Sequence, residues 1–178
     1  MGKVTPPEPA LLFIGTLYAD PGIFNHAKEF LRKNFGDILF ESPSMSWDYS
    51  FYYREELGRP LCRQFIFFKD IIDPGILAEI KTKTNEIEES LSSYGKRCIN
   101  LDPGYITLSK LVLASTKNYA HRIYLRKGIY AEVTLVYQDD TFKSHLFTYR
   151  DYRDKKCIDI FLQARRMLKK ILNEAKGN

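Results

Sequence analysis

Two amphipathic segments, each opened by an Asp-Pro pair, constrain the fold of this chain most strongly. The pairs are Asp20-Pro21 and Asp73-Pro74, and in both cases isoleucine, leucine and other apolar residues then recur at helical spacing. An aspartate caps the first free N–H groups of a helix, and a proline fits the first helical position. Gly36 and Gly95 stand where such helices end. The pattern therefore predicts one helix after each pair.

Runs of strand type surround both predicted helices. They are Leu11–Leu17, Ile38–Glu41, Leu61–Phe68 and Lys96–Leu101. The resulting order is strand, helix, strand, strand, helix, strand. It is typical of a ferredoxin-like split βαβ unit, in which two helices cover one face of an antiparallel sheet. We therefore expect an α+β fold of this type.

The rest of the chain is expected to extend that unit by a hairpin and a terminal helix. Leu108–Ala114 suggests a short buried helix, and Arg122–Leu125 with Ile129–Tyr137 suggests a β-hairpin. Phe142–Tyr149 can add another strand. A last helix with a basic outer face is predicted to open at Asp154.

Length and composition favour a single domain over residues 1–178, with a flexible start at residues 1–9. No apolar run reaches the ~18 residues that a membrane helix needs, and the first residues lack the apolar core of a signal peptide. The three cysteines form no CxxC pair, which argues against a zinc site or a disulfide framework. A cytoplasmic location is the expectation.

Positive charge is concentrated near the C-terminus. The formal net charge is +5, and residues 143–178 hold ten Lys or Arg against four Asp or Glu. Such a field favours nucleic acid or phosphorylated small molecules as partners, although a lysine-rich helix face is also commonly just solvated. Membrane association and a particular oligomeric state are not indicated.

Familiar cofactor and nucleophile motifs are missing from the sequence. It contains no GxxxxGK[ST] loop, no GxGxxG fingerprint, no HExxH helix and no GxSxG elbow. The sequence therefore names no cofactor and predicts no metal site.

One stretch collects titratable side chains of complementary type. Asp102 follows the fourth predicted strand in an Asp-Pro-Gly sequence typical of a turn, His121 lies in a basic linker, and Glu132 lies in a predicted strand. If the three converged, His121 or Glu132 could move a proton, and Asp102 could orient the histidine or bind a divalent ion. Lys117 and Arg122 could neutralise a phosphate. This inventory suits hydrolysis or transfer at a phosphoester, but each residue also has an ordinary structural explanation.

A second hypothesis is binding on a basic, tyrosine-rich surface, with RNA or a nucleotide-like phosphate ligand as partner. In the strand around Glu132, alternation predicts Tyr130, Glu132 and Thr134 on one face, and Ile129, Ala131, Val133 and Leu135 on the other. The candidate ligand-binding residues are Tyr52, Tyr53, Tyr105, Lys110, Lys117, Arg122, Tyr124 and Tyr130.

The aromatic segment Trp47–Gly58 allows a third hypothesis. Its rings can stack on bases or sugars, anchor a long loop on the core, or, over Trp47–Tyr53, form the contact surface of a protein-interaction scaffold.

Several longer motifs make the chain resemble a known family. They include Pro9-x-x-Leu-Phe-Ile-Gly-x-Leu-Tyr18, Asn100-Leu-Asp-Pro-Gly-Tyr105, His121-Arg-Ile-Tyr124, Gly128-Ile-Tyr-Ala-Glu-Val-Thr-Leu135 and Thr148-Tyr-Arg-Asp-Tyr-Arg153. The family consists of prokaryotic proteins catalogued as domain of unknown function 4416. The resemblance implies no reaction. It implies that the family pattern includes Asp102, Tyr105, Lys110, Lys117, His121, Arg122 and Glu132.

Overall fold

The computed structural model describes residues 2–177. Within that range there are nine strands: β1 Ala10–Tyr18, β2 Ile38–Glu41, β3 Met45–Trp47, β4 Leu61–Ile72, β5 Ile99–Ile106, β6 Lys110–Ser115, β7 Ile123–Arg126, β8 Ile129–Gln138 and β9 Thr141–Lys143. They form one antiparallel sheet in the order β2-β4-β1-β5-β6-β8-β7, with β3 also paired to β4 and β9 to β8.

Four α-helices lie among these strands in the described part of the chain. They are α1 Pro21–Phe35, α2 Phe51–Leu57, α3 Leu77–Ser90 and α4 Lys155–Lys176. Single 3₁₀ turns at Pro74–Ile76 and Asp151–Arg153 lead into α3 and α4. The predicted α+β class is confirmed. No described helix is long and apolar enough to cross a membrane.

Both Asp-Pro pairs start helical structure, as predicted. Asp20 Oδ1 accepts a hydrogen bond of 2.7 Å from the Gly22 N–H, and Asp73 Oδ1 accepts one of the same length from the Gly75 N–H. Helix α1 ends at Gly36, whose φ of 89° lies in the region that favours glycine.

The sheet is covered on both faces. Helices α1 and α3 pack on one face through residues such as Leu31 and Ile80, which meet Ile14 and Phe68 of the sheet. Helix α4 covers the other face, where the Phe161 ring contacts Phe13, Phe65 and Phe67 edge-on. Burial of these apolar surfaces fixes the centre of the sheet, whereas the edge strand β7 is exposed along its whole length.

The structure corrects three predictions for the second half of the chain. Leu108–Ala114 is not a helix, because Lys110–Ser115 forms β6 between β5 and β8. A short apolar run buried on both faces has no period that distinguishes strand from helix. Phe142–Tyr149 forms a strand only at Thr141–Lys143.

The third correction concerns Asp102-Pro103-Gly104, which is not a turn but part of β5. Gly104 is required there, because a β-carbon would lie 2.5 Å from the Val112 carbonyl oxygen and 2.7 Å from Phe13 Cζ. Glycine occurs at position 104 because β5 packs closely against Val112 and Phe13, and not because the chain turns there.

The predicted hairpin of β7 and β8 is confirmed, but its alternation is interrupted. The register of β8 against β6 shifts between Val133 and Leu135, so Thr134 is an extra residue of the kind found in a β-bulge. As a result Ile129 packs against α3 on one face of the sheet, whereas Leu135 packs in the cluster that includes α4 on the other face. Glu132 and Thr134 are buried rather than on a wet face.

The segment from Trp47 to Gly58 also differs from a plain loop, since it contains the end of β3 and all of α2. Trp47 is buried and donates from Nε1 to Asp151 Oδ2 at 2.9 Å. Phe51 and Tyr52 are exposed. Trp47 thus anchors the segment on the core, while Phe51 and Tyr52 form part of the protein surface.

Candidate functional site

The sheet contains a gap between β5 and β6. These strands pair only from Gly104 to Ile106, so the first half of β5 has an open edge. Two α3 side chains occupy that edge: Glu88 Oε1 accepts from the Leu101 N–H at 2.5 Å, and Lys81 Nζ donates to the Leu101 oxygen at 2.9 Å. Pro103 lies two residues after Leu101, so its backbone also faces the open edge, and a proline has no N–H that would need a partner there. This explains how a proline can lie in the middle of β5.

A cleft of about 370 Å³ opens at this gap, and we call it the β5 cleft. It is lined by Tyr52, Tyr53, Glu56, Lys81, Asn85, Glu88, Arg97, Asn100, Asp102, Ala114, Ser115, Thr116, Lys117 and Tyr149.

Arg97 organises one wall of the cleft. Its Nε and Nη2 donate to the two oxygens of Glu56 at 2.8 and 2.7 Å, while Nη1 donates to Glu88 at 3.1 Å and to Asn100 Oδ1 at 3.0 Å. Burial raises the pKa of Glu88 despite its cationic neighbours Lys81 and Arg97. Arg97 is thus committed to protein groups.

Asn100 leaves a hydrogen-bond donor unused. Arg97 can only donate, so the atom of Asn100 that faces it must be the oxygen, and the amide nitrogen points elsewhere. That nitrogen has no partner within residues 2–177, although Asn100 is only 3% exposed. Lys81, which is 7% exposed, uses one of its three N–H donors on Leu101. Two residues that line the cleft therefore have donors without a protein partner.

Two tyrosines add further donors. Burial, reinforced by the Asp102 carboxylate, raises the pKa of Tyr53, and burial together with Glu132 raises the pKa of Tyr149 to about 12. Both phenols consequently keep their protons at neutral pH. The Tyr149 oxygen accepts from Arg122 Nη2 at 2.6 Å, which leaves its own O–H to donate.

Asp102 supplies the cleft with an acceptor. One of its oxygens accepts from Arg63 Nη1 at 3.3 Å, and its side chain is 29% exposed. Arg63 is buried and is held on its other side by Asp151 at 2.9 Å. Within the described residues, the second Asp102 oxygen has no hydrogen-bond partner.

Behind Tyr149 lies a separate group that we call the Glu132 cluster, made of His121, Arg122 and Glu132. Glu132 Oε2 accepts from Arg122 Nε at 2.7 Å and lies 3.0 Å from His121 Nε2, while Oε1 accepts from Thr134 at 3.3 Å. The Arg122 and Glu132 side chains are each 2% exposed.

Both terminal nitrogens of Arg122 are also engaged. Its Nη1 donates to Ser115 Oγ at 2.7 Å and to the Lys117 carbonyl oxygen at 3.0 Å, and Nη2 donates to Tyr149. The His121 ring stacks on Phe147 with centroids 4.3 Å apart. The Glu132 cluster is therefore closed, and Arg122 holds protein groups rather than presenting an open fork for a phosphate.

The predicted site residues fall into several groups. Tyr52, Tyr53, Asp102 and Lys117 line the β5 cleft, whereas His121, Arg122 and Glu132 form the Glu132 cluster. The other candidates are elsewhere: Tyr124 faces Tyr130 at 5.3 Å between β7 and β8, Tyr105 packs with Leu77 and Ala78, and Lys110 begins β6.

Sequence reasoning missed Lys81, Glu88, Arg97, Asn100 and Tyr149. One signal was present, since Lys81, Thr84 and Glu88 follow a helical spacing directly beside the buried Ile80 and Ile87. Polar residues at such positions are buried and need partners.

A family model described as a domain of unknown function (DUF4416) matches residues 8–168, a range that includes both the β5 cleft and the Glu132 cluster. The chain belongs to this family. No curated protein and no solved structure matches it. In this DUF4416 chain, the geometry of its own side chains is what bears on function.

Proposed function

We propose that the β5 cleft binds a small ligand that carries a phosphate group. The observation that carries the proposal is the buried Asn100 amide nitrogen, which faces no acceptor within the described chain. An unsatisfied buried donor costs about 1–3 kcal/mol, and a ligand oxygen would remove that cost.

The pairing of the charged side chains supports an anionic ligand. The carboxylates of Glu56 and Glu88 are engaged by Arg97, and Asp102 is engaged by Arg63. The ammonium groups of Lys81 and Lys117 belong to no ion pair of the described residues and line the same cleft. Together with the protonated phenols of Tyr53 and Tyr149, they suit an oxyanion with several acceptor atoms.

A small phosphate ligand is favoured over RNA because the residues with unsatisfied donors line one concave site. The tyrosines proposed for stacking do not share one surface with the basic residues of α4. Tyr105, for example, packs against Ala78 of α3, on the side of the sheet opposite α4. A nucleotide or another phosphorylated small molecule needs only the cleft.

Isothermal titration with inorganic phosphate at low ionic strength tests this proposal. We expect the wild-type protein to bind, and Asn100→Asp to lose binding, because the change keeps the acceptor for Arg97 but replaces the open donor with a charged acceptor. Asn173→Asp, on the exposed side of α4, adds the same charge far from the cleft and should bind normally. Equal binding by both variants, or none by the wild type, would refute the proposal.

We also propose that the first half of the chain has the ferredoxin-like arrangement. The supporting features are the antiparallel order β2-β4-β1-β5 and the packing of α1 and α3 on one face of it. Experimental coordinates with β2 removed from the edge of β4 would contradict this assignment.

A further inference from the structure

We infer that the ligand of the β5 cleft is a sugar phosphate, either free or as the ribose phosphate of a nucleotide, with Asp102 accepting a hydrogen bond from a sugar hydroxyl. This inference rests on the proposed phosphate site and adds a second point of recognition to it.

The spacing of two residues on β5 carries the inference. Asn100 and Asp102 are two positions apart, so their side chains leave the strand on the same side, about 6.6 Å from each other along it. Asn100 offers a donor, and Asp102 offers an acceptor. A ligand that satisfies both must carry an acceptor oxygen for Asn100 and a hydroxyl or amine for Asp102, and the neighbouring Lys81 ammonium favours an acceptor that is anionic.

Inorganic phosphate meets both requirements less well. Its oxygens suit the Asn100 amide and the Lys81 ammonium, and the dianion keeps one hydrogen, but donating that hydrogen to Asp102 brings the phosphate charge against the carboxylate. A phosphorylated sugar offers a neutral hydroxyl group separate from the phosphate. The pair of Asn100 and Asp102 therefore favours a sugar phosphate over phosphate alone.

Asp102 is held in place for this role. Arg63 binds one of its oxygens, and Arg63 is itself fixed by Asp151, which also accepts the Trp47 N–H. A carboxylate held from behind loses little freedom when a hydroxyl binds its other oxygen, so more of the hydrogen-bond energy appears as affinity.

Aromatic rings at the cleft suit the rest of such a ligand. Tyr52 is 60% exposed and meets Tyr53 edge-to-face with centroids 5.2 Å apart. An exposed ring can stack on the apolar face of a sugar or on a nucleotide base.

The test compares ribose 5-phosphate, inorganic phosphate and ribose by isothermal titration against the wild type and Asp102→Asn. Asparagine can still accept from Arg63, so the fold is preserved, but the charged acceptor is lost. We expect ribose 5-phosphate to bind the wild type at least ~10-fold more tightly than phosphate, since hydrogen bonds to charged groups are the strong ones. In Asp102→Asn that advantage should disappear, while the affinity for phosphate should stay the same or rise.

Two failures are distinguishable. If phosphate binds and depends on Asn100, but ribose 5-phosphate binds no more tightly, the sugar inference is wrong and the phosphate site stands. If neither compound binds, the phosphate site itself is wrong.

Adenosine 5′-monophosphate separates the two sources of the sugar phosphate. If adenosine 5′-monophosphate binds more tightly than ribose 5-phosphate, and Tyr52→Ala reduces its affinity to that of ribose 5-phosphate, the ligand is a nucleotide. Equal binding of the two compounds would identify a free sugar phosphate. Binding of adenosine as tight as that of its monophosphate would overturn the inference, because recognition would then not involve the phosphate.

Discussion

The β5 cleft and the Glu132 cluster contain the same kinds of side chain and meet at Tyr149, but they differ in how their polar groups are satisfied. In the cluster, Arg122 and Glu132 direct their atoms at each other and at neighbouring protein groups. In the cleft, Asn100 and Lys81 retain donors without protein partners, and the sheet itself is interrupted.

This contrast separates stability from binding. A buried ion pair with nearly all its donors used favours one conformation and leaves little for a substrate, whereas we propose that the enclosed donor without an acceptor is a place for a ligand. Residue types alone do not reveal which of the two situations applies. What distinguishes them is how many of the buried hydrogen-bond donors have an acceptor in the protein.

The largest effect should come from breaking the Glu132 cluster. Arg122→Met leaves the Glu132 carboxylate buried with His121 and Thr134 as its remaining partners. Removing one partner of a buried pair costs about 3–5 kcal/mol, which urea denaturation would measure.

Two variants serve as controls for that experiment. Lys117→Met removes an exposed charge from the same loop and should change the free energy of unfolding by less than ~0.5 kcal/mol. The double change Arg122→Met with Glu132→Leu should recover part of the loss, because no buried charge then remains. A loss below ~1 kcal/mol for Arg122→Met would mean that the cluster is not closed as described.

A smaller loss of stability is expected from a change at Gly104, where β5 begins to pair with β6. Gly104→Ala places a methyl group against the Val112 carbonyl and the Phe13 ring, so overpacking should cost about 1–3 kcal/mol in the free energy of unfolding. A nearly neutral change would indicate that Asp102-Pro103-Gly104 is a turn after all.

Those elements of the fold that depend on local signals could be predicted from the sequence. Asp20, Pro21 and Gly36 delimit α1 without help from the rest of the fold, and the turn at Lys127 and Gly128 joins β7 to β8. The cleft depends on tertiary pairing instead. Nothing near Asn100 indicates that β6 parts from β5 at that point, or that Lys81 and Glu88 reach the Leu101 backbone.

The same limit applies to the Glu132 cluster. His121, Arg122 and Glu132 were correctly chosen as a group of interest, and His121 and Glu132 do meet. Their burial depends on the bulge at Thr134 and on packing by the loop that carries Phe147 and Tyr149, which alternation along β8 cannot show.

The pH dependence of stability should reveal Glu88 in the wall of the cleft. Burial raises its folded-state pKa above the ordinary value of 4.5, so the native protein holds this proton to a higher pH than the unfolded chain does. Relative to Glu88→Gln, the wild type should therefore be most stable below pH 4.5 and lose stability as the pH rises through the folded-state pKa. Urea midpoints of both proteins at several pH values measure this difference. An opposite slope would contradict the burial of the carboxylate.

The smallest effect should come from the outer face of α4. Lys169→Glu combined with Lys170→Glu changes two exposed residues in the C-terminal half of α4, about 21 Å along the helix from its first residue, Lys155, and interactions of exposed charges beyond ~10 Å are largely screened at 0.1 M salt. Phosphate affinity of the cleft should change by less than ~2-fold. A large loss, with a steep dependence on salt, would instead favour a polyanion such as RNA bound along α4.

Anomalous diffraction from crystals containing tungstate, a heavy analogue of phosphate, tests the central contrast most directly. We predict a tungsten peak in the β5 cleft with an oxygen within hydrogen-bond distance of Asn100 Nδ2, and loss of that peak in Asn100→Asp. A peak bound to the Arg122 guanidinium in place of Glu132, with the cleft empty, would show that the cluster is the open site and would contradict the account.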